Sequence, residues 1–127
     1  MTAYLDTNVA VWLAQGSLNR ISPKAQKCIQ TAANLLLSPV VLIELEYLYE
    51  IGRILISATD LRVKLEHEIG IRMCDLDFLP VAQMALNEKW TRDPFDRIIV
   101  AHAKANGLAP LVSADEEIKK RYSRTIW

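Results

Sequence analysis

Four carboxylates spread along the chain, Asp6, Glu44, Asp96 and Asp115, are the residues whose types and spacing could do chemistry. Taken singly, each has an ordinary explanation. Asp6 directly follows the β-type run Thr2 to Leu5, where an aspartate often caps the next helix; Thr7 or Asn8 could cap equally well, which leaves Asp6 available. Glu44 has Val40, Val41, Tyr47 and Leu48 as helical neighbours, and Leu37 and Ile51 continue that stripe. A carboxylate on an apolar face is costly unless paired or bound to a cation, the alternative being a solvated glutamate at a helix edge. Asp96 lies in Arg92-Asp93-Pro94-Phe95-Asp96-Arg97, where Asp93 as N-cap and Pro94 as first helical residue make a regular helix start, and it faces Ile99 and Val100 one turn on. In Ser113-Ala114-Asp115-Glu116-Glu117, Ser113 and Glu116 have capping-box spacing, which frees Asp115 to point elsewhere.

Together the four describe a pocket with oxygen ligands only. Converging carboxylates repel one another and shift their pKa values upward unless a cation intervenes. All-oxygen ligation suits Mg²⁺ or Mn²⁺ rather than Zn²⁺. In nucleases such ions polarise the scissile phosphate and lower the pKa of an attacking water. No serine, cysteine or histidine nucleophile is apparent. His67 lies between Glu66 and Glu68 on an amphipathic helix and His102 in the helix after Asp96, and both read as satisfied or exposed rather than as ligands.

The segments that must position these groups alternate between strand and helix. After Thr2 to Leu5, a helix begins over Val9 to Leu13, and Ser22-Pro23 opens a second as N-cap and first helical proline. Leu35-Leu36-Leu37 reads as a buried strand, Ser38-Pro39 restarts a helix to about Gly52, and Ala58 to Glu68 is amphipathic and helical. A weak strand is expected near Ile71 to Cys74 and a helix over Val81 to Glu88. Asp93-Pro94 opens a long helix through Ala105, ended by Asn106-Gly107, two residues that tolerate a left-handed conformation. Leu111-Val112 is a strand, Ser113 caps a helix to about Tyr122, and Thr125 to Trp127 is a final edge strand. This alternation predicts an α/β fold, a central mostly parallel sheet with helices on both faces. Ligands of such folds sit beyond the carboxyl ends of the strands, where Asp6 and Asp115 fall.

The 127 residues suit a single domain spanning 1–127. Lys+Arg and Asp+Glu balance at 15 each, which excludes a uniformly basic nucleic-acid binder but not a local basic patch beside an acidic pocket. Cys28 and Cys74 have no ligand spacing and read as core residues of a reducing compartment. The start MTAYLDTN has neither a charged n-region nor a long apolar stretch, and no run is long enough to span a membrane, so a cytoplasmic protein is expected.

Four short motifs in this order resemble the PIN-domain family, and within it the VapC-type toxins of prokaryotic toxin–antitoxin pairs. They are Tyr4-Leu5-Asp6-Thr7-Asn8, Ser38 to Glu44, Asp93-Pro94-Phe95-Asp96-Arg97 followed by Ile98-Ile99-Val100-Ala101, and Leu111-Val112-Ser113-Ala114-Asp115. The resemblance covers essentially the whole chain. It implies a PIN-like fold, Mg²⁺- or Mn²⁺-dependent endoribonuclease activity, a homodimer, and a small cognate antitoxin whose tail reaches the active site. It also implies Asp6, Asp96 and Asp115 as metal ligands, Glu44 completing the shell or orienting and deprotonating the water, and Asn8, Ser38 and Ser113 in support. Ala114 departs from relatives that carry a larger or charged residue there.

An RNA approaching a negative pocket needs nearby cations. Arg92 and Arg97 beside the acidic helix, and Lys119 and Lys120 in the Lys119-Lys120-Arg121 run, are the candidates; for that run the alternative is a solvated helix end with favourable dipole placement. Trp12 and Trp90 read as core or interface packing, and the apolar circumference of Leu42 to Ile51 suits deep burial, an oligomer or an antitoxin groove. Two rivals remain: a phosphohydrolase with Asp6 as nucleophile, although Asn8 stands where such enzymes want a second aspartate, and a non-catalytic RNA-binding or scaffold module of the same fold.

Overall fold

Successive side chains of a strand point to opposite faces, so a strand buried at every position must be covered on both sides. In β1 (Thr2–Leu5) Ala3, Tyr4 and Leu5 are fully buried, and so are both residues of β4 (Leu111–Val112). In the computed structural model, which describes residues 1–127, these two strands are the centre of a five-stranded sheet with β2 (Asn34–Leu37), β3 (Arg72–Met73) and β5 (Thr125–Ile126). The order is β3-β2-β1-β4-β5 and every neighbouring pair is parallel. The expected α/β architecture is therefore present, with a sheet that is parallel throughout and helices on both faces.

The chain builds outward from β1 to β3, then returns to lay β4 and β5 on the other side. The order reverses between β1 and β4, where Leu5 pairs with Val112. In open parallel sheets such a switch point leaves a crevice beyond the strand ends.

Seven helices make the crossovers: α1 (Thr7–Gln15), α2 (Pro23–Thr31), α3 (Val40–Glu50), α4 (Ala58–Ile69), α5 (Phe78–Ala85), α6 (Pro94–Ala105) and α7 (Glu116–Arg121). Their starts follow local chemistry. Ser22 caps α2, accepting from the Ala25 amide at 3.1 Å, and Asp93 caps α6 ahead of Pro94. Helix α5 begins at Phe78, three residues before the expected Val81, because Pro80 falls in its first turn, where a missing N–H leaves no bond unmade. At the end of α6 the left-handed residues are Gly107 (φ 64°) and Leu108 (φ 55°), while Asn106 stays at φ −95°.

Cys28 and Cys74 are buried and free, and Trp12 and Trp90 pack partly buried against the core. No helix is long and apolar enough to cross a membrane. Two buried polar ties cross between elements. Ser38, at the end of β2, has its Oγ 2.7 Å from Nδ1 of His102 in α6, and it also accepts the Val40 amide at 3.3 Å. Burial pushes the His102 pKa down, which keeps the ring neutral. Glu88, 5% exposed, accepts from Lys104 of α6 and from Trp90 Nε1, each at 2.6 Å, and so fastens the loop that leads into α6.

Replacing Ser38 with alanine leaves the buried His102 Nδ1 without its partner. Ser38→Ala is expected to lower the unfolding free energy in urea by about 1–3 kcal/mol. His67→Ala, at an exposed position, should stay within about 0.5 kcal/mol of the parent.

Candidate active site

Asp6 occupies the first position after β1, at the switch point, and its backbone N–H still belongs to the sheet, donating to Val112 O at 3.0 Å. That register drives the side chain into the crevice with only 7% of the residue exposed. Both carboxylate oxygens are engaged: Oδ1 accepts the Thr7 amide at 2.8 Å and Oδ2 accepts the Ser113 hydroxyl at 2.6 Å. Asp6 is therefore the N-cap of α1 after all, in place of Thr7 or Asn8. Capping and membership of the cluster are compatible, because a carboxylate offers about four lone-pair sites and two are used.

Thr7 has a different task. Its hydroxyl donates to Glu44 Oε1, which ties the first turn of α1 to the middle of α3. Glu44 is half-buried, and the apolar stripe that it interrupts is only partly covered, since Tyr47 and Ile51 are exposed. Asp96 is also half-buried, in the first turn of α6. Asp93 accepts the Phe95 and Asp96 amides at 2.8 and 3.4 Å as the cap of that helix.

Asp115 is exposed, and here the structure corrects the expected capping arrangement. Asp115 itself caps α7, its Oδ1 accepting the Ile118 amide at 2.9 Å. Ser113 lies two residues before that cap, and its hydroxyl donates to Asp6. Ser113 Oγ accepts the Asp115 amide at 3.1 Å, so one buried serine links the loops after β1 and β4.

The electrostatics show that these groups share one region. Burial raises the Asp6 carboxyl, the Ser113 and Thr7 hydrogen bonds oppose it, and repulsion from Asp115 and Asp93 adds to it. Burial likewise raises Glu44, against its bond from Thr7, with Asp6 and Asp93 contributing repulsion. Asp96 is pushed up to about 7, first by burial and then by Asp93, Asp6, Asp115 and Glu44. Asp93 is thus a helix cap whose charge also bears on the site, a role the sequence reading did not assign.

As arranged, no three of these groups form a ready-made cage for an ion. The donor set still fits a hard divalent cation that retains several waters and takes one or two carboxylates directly. Asp96, raised first by burial and then by its acidic neighbours, is an oxygen donor that a cation beside it would favour in the charged form. Burial and repulsion together raise Asp6, Asp96 and Glu44, and the charge of Asp115 bears on Asp6 and Asp96.

The other sequence-singled residues disperse. Asn8 is exposed on α1, and Ser38 serves His102 rather than an acid. Arg92 is exposed and donates to Lys89 O at 3.3 Å, and Arg97 Nε donates to Thr91 O at 2.9 Å. Lys119 and Lys120 pair with Glu116 and Glu117 at 2.9 and 3.7 Å, so their charges are matched within α7.

The PIN domain family model matches residues 3–123. Among solved structures, a chain of VapBC2 from Rickettsia felis, crystallised bound to a DNA fragment from their promoter, superposes with a TM-score of 0.63 at 18% identity, covering 98% of this chain and 96% of its own. A chain of DNA-bound VapBC from Salmonella typhimurium gives 0.58 at 18% identity, covering 95% and 90%. No curated protein matches the chain.

The raised Asp96 has a definite thermodynamic sign. Folded protein holds this proton up to about pH 7, whereas the unfolded carboxyl releases it near 3.8. The stability that protonated Asp96 gives is full below about 4 and is lost as pH rises to about 7. Without metal, the melting temperature of Asp96→Asn relative to the parent should therefore climb between about pH 4 and 7 and level off above. A difference that is flat across this range in scanning calorimetry would show that Asp96 titrates normally.

Proposed function

We propose that this chain, which belongs to the PIN-domain family, is a divalent-metal-dependent endoribonuclease and the toxin of a toxin–antitoxin pair, folded as one nuclease domain over 1–127. The observation that carries the reading is the gathering of Asp6, Glu44, Asp93, Asp96 and Asp115 at the switch point of a parallel sheet, where burial first, and then the charges of the other four, push Asp96 up to about 7. A scaffold has no use for five gathered acids, none of them in an ion pair, since uncompensated repulsion costs stability.

Mg²⁺ or Mn²⁺, held chiefly by Asp6 and Asp96 with Asp115 alongside, would supply the charge that polarises a scissile phosphate and lowers the pKa of an attacking water. The chain's own part is to hold the acids still. Ser113 and the Thr7 amide fix both oxygens of Asp6. The Thr7 hydroxyl occupies one oxygen of Glu44 and leaves the other free to orient a water or take its proton. Asp93 fixes the start of α6 through the Asp96 amide. A phosphohydrolase reading with Asp6 as nucleophile fares worse, because a carboxylate 7% exposed with both oxygens bonded is poorly placed for in-line attack.

An antitoxin partner is supported by an open groove of about 600 Å³ lined by Leu42, Ile43, Glu46, Tyr47, Glu50 and Phe95, with Ala58 and Thr59. Ile43 and Phe95 are sequence neighbours of Glu44 and Asp96, so a segment lying in the groove would end at the acids. Apolar side chains flanked by basic ones would match its lining. The exposed apolar residues of α3, α5 and their C-caps, Tyr49, Ile51, Phe78, Leu79 and Leu86, supply surface for a homodimer.

In this reading EDTA abolishes cleavage of single-stranded RNA and Mn²⁺ restores it. Asp6→Asn is expected to bring the rate to background at every Mn²⁺ concentration while circular dichroism remains that of the parent. Metal-dependent cleavage retained by this variant would overturn the assignment.

A further inference from the structure

A second feature beside the acids is basic. Asn8, Val11, Trp12 and Gln15 of α1 line a cleft of about 210 Å³ together with Arg20, Leu48, Arg53 and Ile54. The α1 residues follow the spacing i, i+3, i+4, i+7, one face of a helix, running about 10 Å from a point two residues past Asp6. Across the cleft, Leu48 lies one turn beyond Glu44 on α3. The same two helices are joined at their acidic end by the Thr7–Glu44 bond. The cleft thus continues the crevice of the acids along α1.

Its charge is opposite to theirs. Arg20 and Arg53 are exposed and neither is in an ion pair; the ion pairs of the chain are those of Arg62, Lys64, Lys104, Lys119, Lys120 and Arg121. Arg20 is not loose: its guanidinium lies 5.7 Å from the Trp12 ring centroid, and Trp12 packs in turn against Trp127 at 5.9 Å. Arg53 follows Gly52, whose φ of 79° turns the chain back from α3, and its amide is fixed to Leu48 O at 2.8 Å. Two guanidiniums and two side-chain amides, of Asn8 and Gln15, therefore line a narrow polar cleft. Guanidinium donors in a planar fork match phosphate oxygens. With Trp12 already engaged by Arg20 and Trp127, the aromatic group serves as a platform for the arginine rather than for a base.

We propose that this cleft binds the phosphate backbone of a single RNA strand on one side of the scissile bond, with Arg20 and Arg53 as the phosphate ligands and Asn8 as a polar guide toward the acids. The proposal rests on the nuclease reading and identifies how a negative site accepts a negative substrate. It replaces Lys119 and Lys120, whose charges are spent within α7, as the cationic track.

The test uses a fluorescein-labelled mixed-sequence RNA of about twelve nucleotides, the full chain carrying Asp6→Asn to prevent cleavage, and Mn²⁺. Anisotropy titrations at several salt concentrations compare that protein with Arg20→Gln, Arg53→Gln and the double variant. At about 0.1 M salt the double variant should bind on the order of tenfold more weakly, and its salt slope should fall by about 0.7 for each arginine removed. Arg20→Lys and Arg53→Lys should recover most of the slope, which guards against an effect of lost packing on Trp12. In the cleavage-competent chain the double variant should raise KM with kcat little changed. Unaltered affinity and slope would overturn the cleft proposal while leaving the nuclease reading standing. Absence of RNA binding both in the Asp6→Asn chain and in the parent chain without metal would also overturn the cleft proposal, while the nuclease reading stands or falls on the cleavage assay. Loss of binding to a poly-glutamate peptide with RNA binding intact would reassign the cleft to an acidic protein partner.

Discussion

Carboxylates crowded at one end of a parallel sheet, with Asp6, Glu44 and Asp96 raised in pKa by burial and by their acidic neighbours, are the constraint on which the rest of this molecule depends. Such a cluster is intrinsically destabilising, so the surroundings must hold it by other means. They do so with short, well-directed hydrogen bonds. Ser113 is the most economical of these: one buried hydroxyl donates to Asp6 and accepts the Asp115 amide, which fixes the loops after the two central strands to one another. Thr7 couples α1 to α3 in the same way through its amide and its hydroxyl. A site built on these ties is pre-formed, and the folding free energy of the core offsets its repulsion.

The same logic extends one layer outward. The helices that carry Glu44 and Asp96 are joined beneath the site by Ser38 and His102, and the loop that delivers Asp93 is fastened by Glu88 to Lys104 and Trp90. Each is a buried polar contact with its partner present, and no buried side-chain nitrogen or oxygen is left unsatisfied. Buried polar pairs of this kind add little net stability compared with apolar replacements, but they define a single arrangement. For a site that must keep like charges at fixed separation, that definition matters more than the energy of any one bond.

The architecture was legible because it is written in local patterns: β-type runs alternating with helical stripes, Ser22-Pro23 and Asp93-Pro94 as helix starts, glycines after helix ends. What escaped the sequence depends on which strands become neighbours. Ser113 has ideal spacing for a capping box with Glu116, and only the pairing of β4 with β1 sets it against Asp6, so that Asp115 takes over the cap. Asp6 caps its own helix for a related reason, since the bond from Ser113 orients its carboxylate toward the Thr7 amide. The early start of α5 escaped because Pro80 reads as a boundary, although the first turn of a helix accepts it. Asp93 shows a different limit: one side chain serves as cap and as a charge on the site, and local spacing identifies the first role alone.

Net charge illustrates how far composition can mislead. Equal numbers of acids and cations sum to zero, yet the structure separates them. Six cations are matched within or between helices, five of them on the surfaces of α4 and α7, where their partners lie three or four residues away. The five acids around the crevice have no such partners, and Arg20 and Arg53, beside them, have none either. Unmatched negative charge at the sheet's end and the unmatched Arg20 and Arg53 along the adjoining cleft form a local dipole. At physiological ionic strength a field of this kind survives over about 8 Å, so contacts within the crevice and its cleft feel it while distant surface charges do not. Local separation of charge within a neutral chain therefore lets acids suited to a metal and cations suited to a phosphate stand side by side.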